Sequence, residues 1–257
     1  MKILVCLKQV PAKDAPLKLA PDATWIREDV SYEVNEPDAF ALEAALRLKE
    51  AHGGEVVALT VGPARASQVL REALAKGADR AVHVEGAAST HLDPYAAAEA
   101  ITRAIAGESF DLICTGLQSD DDGFGQTGVI VAELLGAPHA TIIMQIEPAG
   151  DKRIKVKREL EGGHFQFVTM PTPAVLTIQS GINKLRYATL MGIKQAKNKP
   201  LTHTTLEDLG VAPTLNRQVL HKLFVPVKSK GTTRIPGNPK EQAAALLQHL
   251  RQDAHVL

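Results

Sequence analysis

Residues 116–128 read GLQSDDDGFGQTG, and they carry the groups best suited to holding a ligand. Gly116, Gly123, Gly125 and Gly128 let backbone approach a bound group with no Cβ in the way. Gln126 and Thr127 add side-chain donors, and residues 129–135 behind them read as a helix. A helix start offers unpaired N–H groups and the positive end of a dipole, a combination that suits a phosphate. The spacing is neither that of a GxGxxG fingerprint nor that of a P-loop, and a mobile turn of small residues also fits the local sequence. Asp120, Asp121 and Asp122 are the loop's metal-ligand candidates. Three adjacent carboxylates cannot all point at one ion from a turn, so they read as capping or hydrogen-bonding groups. No Cys/His spacing resembles a zinc site, and no Ser/His/Asp or Cys/His set stands out. His83 and His139 beside apolar runs, and His164 near a turn, read as structural. The expectation is a chain with no catalytic residue and no metal ligand.

The elements that position this loop follow a regular alternation. Residue stretches 2–7, 55–61, 80–85 and 111–115 are short apolar runs with the length of buried strands. Between them, 39–51, 64–75 and 95–106 read as helices. Asn35 is the expected cap of the first, Pro37 fits its first turn, and Phe40, Ala41, Ala44, Ala45 and Leu48 make its apolar stripe. Lys76-Gly77 ends the second helix, and Asp93-Pro94 starts the third. Residues 9–22 form a loop with three prolines, and 25–32 have room for a short hairpin. This β-α-β-α order predicts an α/β fold: a Rossmann-like, mostly parallel sheet with helices on both faces. Ligands in such sheets bind outside the carboxyl ends of the strands. Cys6, Val61 and Gly116 fall at such ends and Asn35 opens the helix after the first, so one crevice can collect them all.

The pattern then changes. Residues 141–146, 154–160, 165–170 and 174–179 read as strands of an antiparallel addition to the sheet. Residues 182–200 carry Lys184, Arg186, Lys194, Lys197 and Lys199 against no acid, interleaved with Leu185, Tyr187, Leu190, Met191 and Ile193. Two readings stay open: a solvated basic helix, or a docking segment with apolar anchors inside a cationic rim. Residues 201–239 are polar and broken by Pro and Gly, and 239–252 read as an amphipathic helix. That divides the chain into a nucleotide-binding domain, 1–200, and a C-terminal arm, 201–257. The arm's helix either embraces a partner subunit or packs on its own domain.

Composition narrows the class. The 257 residues hold 29 Lys+Arg against 29 Asp+Glu, so the basic excess of a nucleic-acid binder is absent. Aromatics at 4% leave little for base stacking. No apolar run approaches a membrane span, and the first residues enter a strand-like run with no signal-peptide pattern. Cys6 and Cys114 sit in strand contexts, as small core residues of a reduced, cytoplasmic protein do.

Several ordered motifs extend over residues 1–200. They are Val5-Cys-Leu-Lys-Gln-Val10, Asn35-x-Pro-Asp38 with Ala41 and Glu43, Thr60-Val-Gly-Pro63 and Gly77-Ala-Asp-Arg80. Gly116-x-Gln118, Asp121-Asp122, Gln126-Thr-Gly128 and Arg186-Tyr-Ala-Thr-Leu190 continue the series. With these residues the chain resembles the beta subunit of electron-transfer flavoproteins. The last motif is the most diagnostic, matching the family's recognition-loop signature.

The resemblance implies a heterodimer in which an alpha subunit holds the redox-active FAD and this subunit holds a structural AMP. Carried over by position, Cys6, Asn35, Glu36, Pro37, Asp38 and Val61 would line the nucleotide. So would Gly116, Leu117, Gln118, Ser119, Asp120, Asp121, Asp122, Gly123, Phe124, Gly125, Gln126 and Thr127. Leu190 would enter an apolar pocket on a partner dehydrogenase, flanked by Arg186, Tyr187, Met191 and Ile193. The implied partners are the alpha subunit, acyl-CoA or other flavin dehydrogenases, and a membrane quinone oxidoreductase as acceptor. The family's loop more often reads QAIDDDxNQTG; Ser119, Asp120, Gly123 and Gly125 depart from it here, and Met191-Gly192 stands where Pro-Asn is common. The extra glycines leave room for a larger ligand. Two alternatives therefore stand beside the AMP-binding carrier: an electron-bifurcating beta subunit with a second FAD, and a stand-alone adenine-nucleotide-binding protein on a related fold.

Overall fold

Short apolar segments that can bury both faces pair in parallel, and seven strands of a nine-stranded sheet do so in a computed structural model that describes residues 1–21, 24–86, 91–212, 215–226 and 232–256. The chain divides into two compact units, one of residues 1–18 and 26–221 and one of 19–25 and 222–257. The first strands of the large unit are β1 (Lys2–Cys6), β2 (Gln9–Pro11), β3 (Tyr32–Val34), β4 (Glu55–Gly62), β5 (Arg80–Glu85) and β6 (Leu112–Gly116). After them come β7 (His139–Pro148), β8 (Arg153–Glu159), β9 (Phe165–Pro171), β10 (Ala174–Ile178) and β11 (Leu201–Thr205). Its helices are α1 (Glu36–His52), α2 (Ser67–Lys76), α3 (Pro94–Ala104), α4 (Thr127–Leu134) and α5 (Leu190–Ala196).

The sheet order is β11-β5-β4-β1-β6-β10-β7-β8-β9, parallel from β11 through β7. Side chains alternate between two cores. Ile3, Val5 and Leu7 pack with Leu42 and Leu46 of α1 and Leu70 and Leu74 of α2. Leu4 and Cys6 pack with Ala98 and Ile101 of α3 and Val131 and Ala132 of α4. Helices therefore cover both faces, as the alternation predicts. From β1 the chain builds outward through β4 and β5, then returns to place β6 on β1's other side. That reversal puts the topological switch point between β1 and β6, where an open α/β sheet has its natural crevice.

The antiparallel addition is smaller than expected. Among the described strands of the large sheet only β7–β8 and β8–β9 pair antiparallel, whereas β10 inserts between β6 and β7 and is parallel to both. All five β10 residues are buried, as an interior position requires. The expected hairpin within 25–32 is replaced by a ribbon in which β3 pairs back with β2. The polar stretch after residue 200 contains β11, which pairs with β5 as the sheet's outermost strand. In the small unit the described helix is α6 (Pro239–Gln252). Asn238 and Glu241 close a capping box at its start.

Candidate functional site

The switch-point crevice is built from the ends of β1 and β6 and the start of α1. Asn35 stands at the N-cap position of α1, but its side chain does not cap the helix. It reaches across to the 116–128 loop instead: Nδ2 donates to the Gln118 carbonyl at 2.9 Å, and Oδ1 accepts from the Asp120 amide at 3.0 Å. Three residues on, Asp38 is buried and accepts from two backbone amides, Lys8 at 2.7 Å and Gly116 at 2.8 Å. Burial pushes the Asp38 carboxyl up to about 7, against the pull of those amides, of Asn35 and of the Lys8 charge. One helix start thus ties together the residues leaving two strands. Gly116 is required at this junction, because a Cβ there would lie 2.4 Å from Asp38 Oδ1 and 2.7 Å from Pro37 Cβ.

Lys8 supplies the charge that the loop's carboxylates need. Its Nζ lies 2.7 Å from Asp121 Oδ1, 2.6 Å from Asp122 Oδ2 and 3.3 Å from Ser119 Oγ. Burial works to lower the Lys8 pKa, and the two aspartates outweigh it and raise it. Asp121 is held below the usual carboxylate range in turn: burial opposes this, and the Lys8 charge and hydrogen bond prevail. The Asp121 and Asp122 carboxylates thus bond Lys8 and hold this part of the loop to the residues that follow β1. Lys8 lies inside one of the motifs singled out above, yet its role is invisible there, because its partners are 113 and 114 residues away.

Beyond Asp122 the loop turns through Gly123 and Gly125, with φ of +66° and +63°, values that favour glycine. It then enters α4. Gln126 occupies the N-cap position with no side-chain cap, so the first amides of α4 lack a capping side chain, with Gln126 and Thr127 beside them. Gly128 lets this helix start sit against the sheet, since a Cβ would lie 2.5 Å from Thr115 Oγ1 and 2.6 Å from Thr177 Cγ2. A Cβ at Gly125, by contrast, meets nothing nearer than 3.6 Å. An uncapped helix start beside open glycine backbone fits the phosphate of a nucleotide. Cys6 ends β1 and is buried, and burial pushes its thiol up, out of reach of thiolate chemistry. Val61 is the penultimate residue of β4, the strand next to β1, while Glu36 pairs at the surface with Lys13 and Phe124 is exposed.

The second group of residues lies apart from the crevice, against α1 and α2. Residues 182–189 are not helical; α5 begins at Leu190, where Thr189 Oγ1 accepts from the Gly192 amide at 3.0 Å. Arg186 is bound within the chain. Its Nε donates to Glu43 Oε2 at 2.7 Å, and Nη1 and Nη2 donate to Glu50 at 2.5 and 3.0 Å. Lys199 is also committed, donating to the Leu74 and Ala78 carbonyls at the end of α2. A Cβ on Gly192 would fall 2.3 Å from the Ala75 carbonyl oxygen, so glycine permits the close approach of α5 to α2. Around this anchored base, Tyr187 and Leu190 are 92% and 88% exposed, with Met191 and Ile193 beside them. Lys184, Lys194 and Lys197 form the exposed basic surround.

A family model for the electron transfer flavoprotein domain matches residues 23–209. The electron transfer flavoprotein subunit beta of Methylophilus methylotrophus is 40% identical over 264 residues, covering 98% of each chain. The protein of the same name from Bradyrhizobium diazoefficiens is 36% identical over the full length of both chains. The mitochondrial electron transfer flavoprotein subunit beta of Arabidopsis thaliana is 35% identical, also over both full lengths.

Proposed function

The chain belongs to the electron transfer flavoprotein family as a beta subunit, and from that premise we propose that it is the nucleotide-holding, partner-docking half of a heterodimeric electron carrier. The redox-active FAD is held mainly by the alpha subunit and supplies the electron chemistry. This chain contributes binding and positioning rather than catalysis. AMP sits in the crevice, its phosphate on the amides of 125–127 at the start of α4. The ribose and adenine lie toward the ends of β1 and β4, near Cys6 and Val61. The clamp of Lys8, Asn35 and Asp38 fixes the loop on which the nucleotide rests.

The observation that carries the docking part is Leu190: a large apolar side chain, 88% exposed, at the first position of α5, in a segment tied down by Arg186 and Lys199. Exposed apolar groups on a rigid base fit the pocket of another protein at little cost in ordering. A small contact ringed by Lys184, Lys194 and Lys197 suits a partner that must be released quickly. Its partners are the alpha subunit and flavin dehydrogenases, acyl-CoA dehydrogenases among them, with a membrane quinone oxidoreductase as acceptor. No described helix is long and apolar enough to cross a membrane. Cytoplasmic residence completes the proposal.

A second FAD in place of AMP is favoured by one observation, the open space at Gly123 and Gly125, where a Cβ meets nothing nearer than 4.0 and 3.6 Å. Denaturing the co-expressed complex and quantifying released nucleotides separates the readings. One FAD and one AMP per heterodimer is the expected result; two FAD and no AMP establishes the bifurcating form. For docking, Leu190→Ala should slow electron exchange with a partner dehydrogenase about tenfold or more while nucleotide content holds, the size expected of a buried anchor. Unchanged partner kinetics would refute it.

A further inference from the structure

At the outer edge of the sheet, three potential ligands from distant parts of the chain share one face. β5 and β11 are parallel neighbours, with His83 opposite His203 and Glu85 opposite Thr205. Residues two apart on a strand point the same way, and directly opposed residues on paired strands do too. His83, Glu85 and His203 therefore converge, and one ligand atom from each lies within 4.8 Å of the others. His203 Nε2 is already 2.5 Å from Glu85 Oε2. The two imidazoles meet edge to face, with centroids 5.3 Å apart and planes at 80°.

We propose that His83, Glu85 and His203 form a binding site for a divalent transition ion of the Zn2+ type, cross-linking β5 to the edge strand β11. Two imidazoles and one carboxylate are a donor set for such ions, whereas Mg2+ and Ca2+ take mainly oxygen ligands. A tetrahedral ion bonded at about 2.1 Å needs its ligand atoms about 3.4 Å apart. The three groups must therefore move by about an ångström: the wider-spaced atoms, within 4.8 Å, draw in, and His203 Nε2 and Glu85 Oε2, 2.5 Å apart, open. Two of them are free to do so: the His203 and Glu85 side chains are 49% and 36% exposed. His83 is the fixed ligand. It is 2% exposed, and one ring nitrogen lies 3.2 Å from the Gly62 carbonyl, the kind of outer contact that orients a metal-binding histidine. Three protein ligands at an exposed edge leave a fourth position for water.

The ion's effect follows from where β11 lies. The sheet holds this strand on one side only, through β5. It also follows directly on the segment that carries Leu190, and Lys199 two residues before it already anchors to α2. A metal clip between residues 83 and 203 would fix the C-terminal end of that segment to the sheet.

The test is a titration of the untagged full chain, stripped with EDTA, with ZnCl2 by calorimetry and with Co2+ by visible absorption. One equivalent of Zn2+ per chain and the absorption of a four-coordinate Co2+ ion are expected. His203→Ala and Glu85→Gln, both at exposed positions, should each weaken Zn2+ binding at least about tenfold. His164→Ala, on a different hairpin, should leave it unchanged. His83→Ala is avoided because its burial makes loss of fold an equal explanation. Absence of stoichiometric binding in the wild-type chain, or binding that survives both ligand substitutions, overturns the proposal.

Discussion

Replacing Arg186 by Gln should destabilise the chain by about 2 kcal/mol, starting from the cost of breaking a buried ion pair, about 3–5 kcal/mol. Glu43 is 3% exposed, and its carboxylate is held by Arg186 on one side and by Arg47 Nε at 2.7 Å on the other. Removing Arg186 leaves that buried charge with Arg47 alone, whose side chain is half exposed and therefore screened. The surviving partner, together with the exposure of Glu50, reduces the full penalty to the lower figure. Urea unfolding followed by circular dichroism measures it. The paired variant Glu43→Gln/Arg186→Gln removes the stranded charge and should recover part of the loss, which is the signature of coupling. Arg186→Lys should not substitute, because one ammonium cannot reproduce a fork that reaches both Glu43 and Glu50. A cost below about 0.5 kcal/mol for Arg186→Gln, the size of an ordinary surface change, would refute this reasoning.

The pH dependence of the same clamp has a definite sign. Burial would raise the Glu43 pKa, but the Arg186 and Arg47 guanidiniums overcome it and hold the group below the usual carboxylate range. A lowered folded-state pKa means stabilisation that is complete above the unfolded value, about 4.3, and is lost as pH falls through the folded value. The gap between wild type and Arg186→Gln should therefore be constant near neutrality and shrink in acid. A gap that widens below pH 4 would place the linkage elsewhere.

Two glycine substitutions probe the crevice. Gly125→Val puts a β-branched residue at φ +63°, which costs about 1–2 kcal/mol and fills the approach to the α4 amides. Nucleotide per chain, measured after denaturation, should fall, and full retention would remove this turn from the site. Gly116→Ala forces a Cβ to within 2.4 Å of Asp38 Oδ1, and a thermal melt should show overpacking of about 1–3 kcal/mol. An unchanged melting temperature would mean that the α1–β6 junction yields more easily than its hydrogen bonds imply.

The parts of the fold that could be read from sequence are those specified by local chemistry. Buried parallel strands are apolar runs, and Pro37 and Gly77 mark helix ends at the expected places. What escaped was decided by pairing over long distances. Nothing local in Ala174–Ile178 distinguishes a strand appended antiparallel from one inserted between β6 and β7. Leu201–Thr205 reads as polar because an edge strand needs little apolar character on its solvated side. Asn35 has the chemistry of a cap, but the 116–128 loop offers it both a donor and an acceptor, and that tertiary pairing wins. The basic stretch 182–200 has helical composition only in part. Its first residues are drawn out along α1, with Arg47 donating to the Lys184 carbonyl at 2.9 Å and Arg186 spanning Glu43 and Glu50.

The loop's charge count gives the strongest physical constraint on what it can hold. Asp120, Asp121 and Asp122 precede the proposed anion position by only a few residues; Lys8 is bonded to Asp121 and Asp122, and His91 Nε2 lies 3.8 Å from Asp122 Oδ1. A phosphate drawn in by net charge would be opposed here. The loop separates the two tasks instead. Its first half, 118–122, commits the Asp121 and Asp122 carboxylates to Lys8 and the Gln118 carbonyl and Asp120 amide to Asn35, which tie it to β1 and α1. Gly123 and Gly125 reverse the chain, so the second half presents uncharged donors: the α4 amides, Gln126 and Thr127. Affinity from such a site rests on hydrogen bonds and the helix dipole rather than on ion pairing. It should therefore depend less on ionic strength than a lysine-lined phosphate pocket does. On the proposed reading the acidic half stiffens the loop and leaves the neutral half to hold the anion, which would account for a DDD sequence standing next to an uncapped helix start.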